Sequence, residues 1–205
     1  MKSNSSLLAF ATMILTLPLY GVAQSSSVAA PDPAAANAAT QMVSADASLL
    51  HNLDADKAHA GAEVRARLDN TIHLTDGTKL SSGSILVGHI VADNMQQGDS
   101  HLSFNFDQAQ LKDGKTVPIK ATIVGIVNGT PDAVAHLVEP GHAWTNGPLQ
   151  IDQDGVTPGI DLHSSIAGAN SGMLVSSTKS DVKIHEGTDI QFAIGSANAN
   201  NRASL

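Results

Sequence analysis

Short runs of alternating apolar and polar residues fill positions 61–128, and glycines separate or interrupt these runs. In residues 63–68 the apolar side chains occupy every second position, which is typical of a strand with one buried face. Residues 85–92 are almost all apolar around Gly88, which predicts a strand that is covered on both faces or bent inside a closed barrel. Closely spaced strands with internal glycines favour a small antiparallel barrel over a flat sheet with exposed edges.

Further segments continue the same pattern. The pattern predicts strands at residues 102–107, 116–119 and 122–127, the last with Gly125 inside it. It also predicts a strand pair at residues 182–194 that closes the barrel. Glycine after a small polar or acidic residue predicts the turns, because glycine tolerates a positive φ. These pairs are Asp76-Gly77, Ser82-Gly83, Asp113-Gly114 and Glu186-Gly187.

The sequence therefore predicts a mainly β chain with a small antiparallel β-barrel or sandwich over residues 44–195. A long irregular insertion is expected at 129–180, where prolines are scattered, with one short strand at 173–175. Leucines at helical spacing predict a short helix within 44–59. Residues 196–205 are polar and predict a flexible tail.

The amino-terminal residues 1–23 have the features of a cleaved export signal. One basic residue precedes an apolar run over 7–19, and a small-residue exit predicts cleavage after Ala23. An uncleaved membrane anchor is the alternative, but the run is short and contains a proline. Residues 24–43, rich in Ala, Ser and Pro, predict a disordered linker. The expected location is the periplasm or the exterior, with no integral membrane span after cleavage.

Composition excludes several classes of function. The chain has 19 acidic and 11 basic residues, a formal net charge of −8, and a field of that sign repels nucleic acid. It has no cysteine, which excludes disulfides, thiolate catalysis and the lipidated cysteine of a lipoprotein. Trp144 is the one large amphipathic aromatic residue left after signal cleavage, so a stacking platform for a sugar or a single strand has little basis.

Nine histidines raise the question of a metal site, because imidazole and carboxylate ligands together can hold zinc. Pro140 and Gly141 break the helical spacing within the tightest group, and the start of a calcium loop near position 152 lacks its later ligands. Exposed loop side chains are therefore the expected alternative, and no cofactor is predicted. The candidate metal ligands are His136, Glu139, His142, Asp152 and Asp154.

Known catalytic motifs are absent from the sequence. It contains no Gly-x-Ser-x-Gly, no Asp-Thr-Gly and no glycine-rich phosphate loop. The segment at 185–189 begins like a zinc-protease motif, but it lacks the second histidine and contains a turn glycine, which predicts a hairpin. The chain is therefore not expected to be an enzyme.

Three stretches carry a resemblance to known families: residues 53–64, 83–89 and 111–119. They resemble a family of secreted proteins of soil-dwelling diderm bacteria, a likeness that implies no activity. More distantly, residues 61–119 and 184–190 are similar in order and turn chemistry to the C-terminal barrel of the conjugation TrbI family, which implies a β-barrel in the cell envelope. The long cytoplasmic portion of that family and its antenna helices have no counterpart in this sequence.

The expected function is an exported, non-catalytic binding or structural module of the cell envelope. Its expected partner is an envelope protein or a glycan, and the insertion at 129–180 is the expected contact region. A periplasmic metal-dependent hydrolase that uses the loop His, Glu and Asp residues is one alternative. A ring-forming component similar to a secretion scaffold is another.

Overall fold

The computed structural model describes residues 41–96, 99–127, 139–145, 147–176 and 181–197. The predicted export signal and most of the predicted linker and tail lie outside these residues. Helices long and apolar enough to cross a membrane are absent from the described ranges.

Thirteen β-strands make up the regular structure of the described residues. They are β1 (Val43–Leu49), β2 (Leu53–Asp54), β3 (Glu63–Leu68), β4 (Ile72–His73), β5 (Lys79–Leu80), β6 (Ile85–Gln96), β7 (Asp99–Gln110), β8 (Thr116–Val127), β9 (Gln150–Thr157), β10 (Ile160–Ser165), β11 (Gly172–Ser176), β12 (Lys183–Ile184) and β13 (Asp189–Ser196).

Six of these strands form a closed barrel. They follow one another in the order β6-β3-β1-β13-β8-β7, and pairing between β6 and β7 closes the ring. Every neighbouring pair is antiparallel. The predicted fold class, a mainly β chain with a small antiparallel barrel, is confirmed.

The carboxy-terminal strand β13 belongs to the barrel, as predicted. It pairs with β1 from Val43↔Ile194 to Ser48↔Asp189, and its other edge pairs with β8. The preceding strand β12 does not pair with β13 as expected. It pairs instead with β2 in a separate two-stranded sheet.

The predicted helix within residues 44–59 is wrong, because the segment begins with strand β1. Its apolar positions, including Ala45, Ala47 and Leu49, recur every second residue and are buried in the barrel. Leu49 and Leu53, which gave the helical spacing, lie in different strands on either side of a turn. The linker prediction also extends too far, since Met42 and Val43 are buried in the core.

The insertion at 129–180 is more regular than the sequence indicated. Its described residues include β9, β10 and β11, which continue the sheet from β7 in the order β7-β11-β10-β9. The predicted strand at 173–175 is confirmed as part of β11. The strands β9 and β10 lie against β8, and residues 121–126 of β8 are all buried as a result.

Ser171 forms hydrogen bonds with both β7 and β8 at the point where these two strands stop pairing with each other. Its backbone N–H donates to the Phe104 carbonyl at 2.8 Å, and its carbonyl accepts the Ile123 N–H at 2.7 Å. Its Oγ accepts the Phe106 N–H at 2.8 Å. One buried serine thus satisfies backbone groups of both strands at the point where their own ladder stops.

The interior of the barrel is filled by side chains. The rings of Phe106 and Phe192 meet edge to face with centroids 5.1 Å apart. A cavity beside Phe106 and Leu53 has a volume of about 10 Å³, room for one water at most. The described barrel is therefore a packed core and not a channel.

One end of the barrel is covered. The β2–β12 sheet, which we call the cap, places Leu53 and Ile184 against interior side chains at one end. Residues 141–144 run antiparallel to the amino-terminal half of β1. The backbone N–H of Trp144 donates to the Met42 carbonyl at 2.8 Å. Trp144 is fully buried, which rules out the stacking platform considered above.

Candidate functional site

A groove of about 370 Å³ lies at the capped end of the barrel, between the cap, the start of β3 and the middle of β6. It is open to solvent on one side, and segments far apart in the sequence build its walls. Its lining residues are Asn52, Leu53, Asp54, Lys57, Ala58, Ala62, Glu63, Ile90, Lys183, Ile184 and His185.

The floor of the groove is apolar. Ile90 and Ile184 are almost fully buried there, and Leu53, Ala58 and Ala62 are partly buried against the same core cluster. Because water makes no hydrogen bonds to this floor, an apolar side chain of a ligand would gain by displacing it. The gain is about 25 cal/mol for each Å² of apolar surface removed from water.

A tight turn after β2 shapes one wall. The Asp54 carbonyl accepts the N–H groups of Lys57 and Ala58 at 3.0 and 2.9 Å, and its carboxylate accepts the Asp56 N–H at 3.2 Å. These bonds hold the Lys57 side chain on the rim. The Ala55 N–H donates to the Val182 carbonyl, which fixes the turn to the chain leading into β12.

The opposite wall depends on Gly61. Its φ of 86° is a left-handed conformation that glycine adopts without strain, and it directs the N–H to the Ile90 carbonyl at 2.7 Å. The Ile90 N–H in turn donates to the Ala62 carbonyl at 2.9 Å. The middle of β6 is thereby held beside the start of β3, and both line the groove.

The rim of the groove is charged. Lys57 Nζ lies 3.3 Å from the Asp54 carboxylate, and Lys183 Nζ lies 3.9 Å from that of Asp181. Desolvation acts to raise the pKa of Asp54, but the hydrogen bond from Lys57 and the charges of Lys183 and Lys57 outweigh it and lower that pKa. Asp54 is therefore held as a carboxylate beside the apolar floor.

Asp56 and Asp181 form a carboxyl pair next to this rim. The Ala55 N–H donates to the Val182 carbonyl at 2.9 Å, and this bond brings the neighbouring residues Asp56 and Asp181 together. The interaction with Asp181 is the largest cause that raises the pKa of Asp56. Desolvation and the negative charge of Asp181 raise it further. Two carboxylates so placed repel each other when both are ionised.

The hairpin that follows β12 closes the groove. Gly187 has a φ of 80°, and the Glu186 N–H donates to Asn52 Oδ1 at 2.8 Å. This confirms the predicted turn at Glu186-Gly187. It also brings His185 and Asn52, which are far apart in sequence, to the same rim.

The candidate metal ligands do not converge in the described part of the chain. His136 lies outside the described residues, and Glu139 and His142 are exposed on the segment beside β1. Asp152 and Asp154 are exposed on β9. Among the described residues, no three His, Asp or Glu side chains are placed to hold a metal ion together.

Asp152 has a partner that sequence reasoning missed. The Nδ1 atom of His163 lies 2.8 Å from its carboxylate, because His163 stands opposite Asp152 in the β9–β10 ladder. Recognising the hairpin would have predicted this pair. The groove residues carried no such signal, since no short sequence pattern links residues 52–63 with 183–185.

Comparison with known proteins gives a structural likeness. No protein-family model matches the chain, and no curated protein matches it. A solved structure that it resembles is ComB10 of the Com type IV secretion system of Helicobacter pylori. The two chains share 12% sequence identity, with a TM-score of 0.37, over 76% of this chain and 85% of ComB10.

Proposed function

We propose that the chain is an exported, non-catalytic binding module of the cell envelope that holds a partner protein in the groove at the capped end of the barrel. The observation that carries this proposal is the groove itself, with its apolar floor and a rim that bears both signs of charge. Such a surface combines desolvation of apolar groups with polar groups that orient the ligand.

A protein fits this groove better than a glycan does. Sugar rings bind best against exposed aromatic faces, whereas the residues that line the groove include no aromatic ring apart from the imidazole of His185. The floor residues Ile90, Ile184 and Leu53 are aliphatic and match the aliphatic side chains of a protein.

The proposed location in the envelope rests on sequence features. Residues 1–23 have the pattern of a cleaved export signal, and residues 24–43 have the composition of a tether. The resemblance to the C-terminal barrel of the conjugation TrbI family supports the same location. A distant relationship to that family, without its channel formation, is part of the proposal.

Site-specific photo-crosslinking in cells tests the proposal. In the test variant benzoylphenylalanine would replace Ala58, which is partly buried at the groove. In the control variant it would replace Lys115, which is exposed in the β7–β8 turn at the other end of the barrel. We expect a discrete adduct of higher mass from position 58 and none from position 115. Fractionation and amino-terminal sequencing should find the chain outside the cytoplasm, beginning at residue 24.

Two results would refute the proposed function. The first is the absence of any adduct at position 58, or equal adducts at both positions. The second is retention of the intact chain, with residues 1–23, in the cytoplasm.

A further inference from the structure

The strand β6 has an unpaired edge directly beside the groove. It pairs with β3 only as far as Glu63↔His89, and Ile90 makes the last backbone hydrogen bonds on that side. Residues 91–96 continue the strand, paired on their other edge with β7. Within the described residues, no strand pairs with the β3 side of 91–96.

Strand β9, at the end of the same sheet, has features that protect a free edge. Asp152 and Asp154 place exposed charges on β9, and a bulge near Gly155 interrupts its regular ladder before Pro158. Charges, bulges and prolines are the usual means by which edges avoid pairing with other chains. The β6 edge begins at Val91, whose side chain is 50% exposed.

Carboxylates outnumber lysines next to this edge. Asp54 and Glu63 line the groove, and Glu63 pairs with Arg65 at 3.5 Å. Asp56 and Asp181 flank the Ala55–Val182 hydrogen bond beside the groove, near Lys57 and Lys183. A guanidinium group of a ligand could donate to both carboxylates of the Asp56–Asp181 pair, because its donors lie in a planar fork. Such a contact would replace repulsion between the two carboxylates with attraction.

We propose that the groove and the β6 edge bind an extended segment of a partner protein, which adds a strand to residues 91–96 and carries a basic side chain to Asp56 and Asp181. This inference rests on the proposed function and specifies the chemistry of its partner. Backbone hydrogen bonds to the edge would supply affinity, and an aliphatic side chain on the groove floor would supply packing. The basic side chain would select the partner, as expected for a chain with a net charge of −8.

Synthetic peptides test the proposal on the purified chain. Each peptide has about eight alternating valine and threonine residues with blocked ends, a length that spans the free edge. The first set carries one arginine near either end, the second carries glutamate in its place, and the third carries arginine but has alternate amide nitrogens methylated. Fluorescence anisotropy at low salt measures the dissociation constants.

We expect an arginine peptide to bind at least about tenfold more tightly than both its glutamate and its methylated counterpart. The double variant Asp56→Asn, Asp181→Asn should lose most of the preference for arginine. Both side chains are at the surface, so thermal unfolding should show an intact fold. The variant Asp152→Asn, Asp154→Asn changes the net charge equally and should keep the preference.

Three results would overturn the inference. Equal binding of arginine and glutamate peptides refutes the acidic contact, and equal binding of the methylated peptide refutes strand addition. Equal loss of preference in the two double variants would mean that only overall charge matters. If an adduct still forms at Ala58 in cells, these results leave the proposed function standing. If no peptide binds and no adduct forms, both proposals fail.

Discussion

Replacing Gly88 by alanine should destabilise the barrel by an amount that the structure bounds. A Cβ atom at Gly88 would lie 2.7 Å from the Asn105 carbonyl oxygen and 2.8 Å from ring carbons of Phe106. The Phe106 ring is held in turn by its edge-to-face contact with Phe192, so it has little freedom to move away.

The expected cost follows from these contacts. An added methylene in a packed core costs about 1–3 kcal/mol. Alanine also restricts the unfolded chain, which offsets about 0.4–1 kcal/mol of that cost. We therefore expect Gly88→Ala to lower the free energy of unfolding by about 1–2 kcal/mol, which lowers Tm by roughly 2–8 °C for a chain of this size.

Gly125 provides the matched control, because it also lies in the middle of a barrel strand. A Cβ atom there would meet nothing closer than 3.7 Å, the distance to the Gln191 Cβ. Gly125→Ala should therefore leave stability unchanged or raise it by up to about 1 kcal/mol. Urea denaturation followed by far-UV circular dichroism measures both variants. Gly88→Ala as stable as the parent, or an equal loss in Gly125→Ala, would refute the packing argument.

Two other predictions follow from polar contacts. Ser171→Ala leaves the buried Phe106 N–H without its side-chain acceptor and should cost about 1–3 kcal/mol. Urea denaturation and amide exchange at Phe106 test this, and an unchanged free energy of unfolding with unchanged exchange at Phe106 would contradict it. Asp69 accepts hydrogen bonds from Ser48 Oγ at 3.0 and 3.1 Å, yet desolvation and neighbouring carboxylates raise its pKa. Protonation of Asp69 therefore favours the folded state. Its contribution to the free energy of unfolding rises as the pH falls from neutral through the pKa that Asp69 has in the folded protein. Asp69→Asn should be more stable than the parent at pH 7, with a Tm difference that narrows towards pH 4, and a difference that widens would contradict this reasoning.

The local parts of the fold were predictable from the sequence. The predicted turn glycines at 77, 83, 114 and 187 all have positive φ, between 80° and 87°. Strand β3 shows the simple alternation of a half-buried strand, and its inward residues are buried as expected. These features depend on the preferences of a few neighbouring residues, so a short pattern is enough to find them.

The missed strands depend on distant partners. Strand β1 is rich in alanine and serine, which have little preference for strands, and it is fixed by pairing with β13 and β3. In β9 the alternation begins at Ile151 and then shifts at the bulge near Gly155, so its period of two is interrupted. The neighbours of these strands, and not their own composition, determine their structure.

The groove could not be predicted for a related reason, which lies in the unequal lengths of the barrel strands. The strand β3 has 6 residues, whereas its neighbour β6 has 12. The wall of the barrel is therefore stepped at one end, because β6 continues where β3 stops at Glu63. The turn at 59–62 and the cap cover part of the space next to β6. The part that they do not cover is the groove, together with the free edge of β6. The binding surface that we propose is thus a consequence of strand length, which no single residue pattern encodes. Lengthening β3 upstream of Glu63 would remove the edge and the groove together, whereas a change confined to the barrel interior would leave both in place.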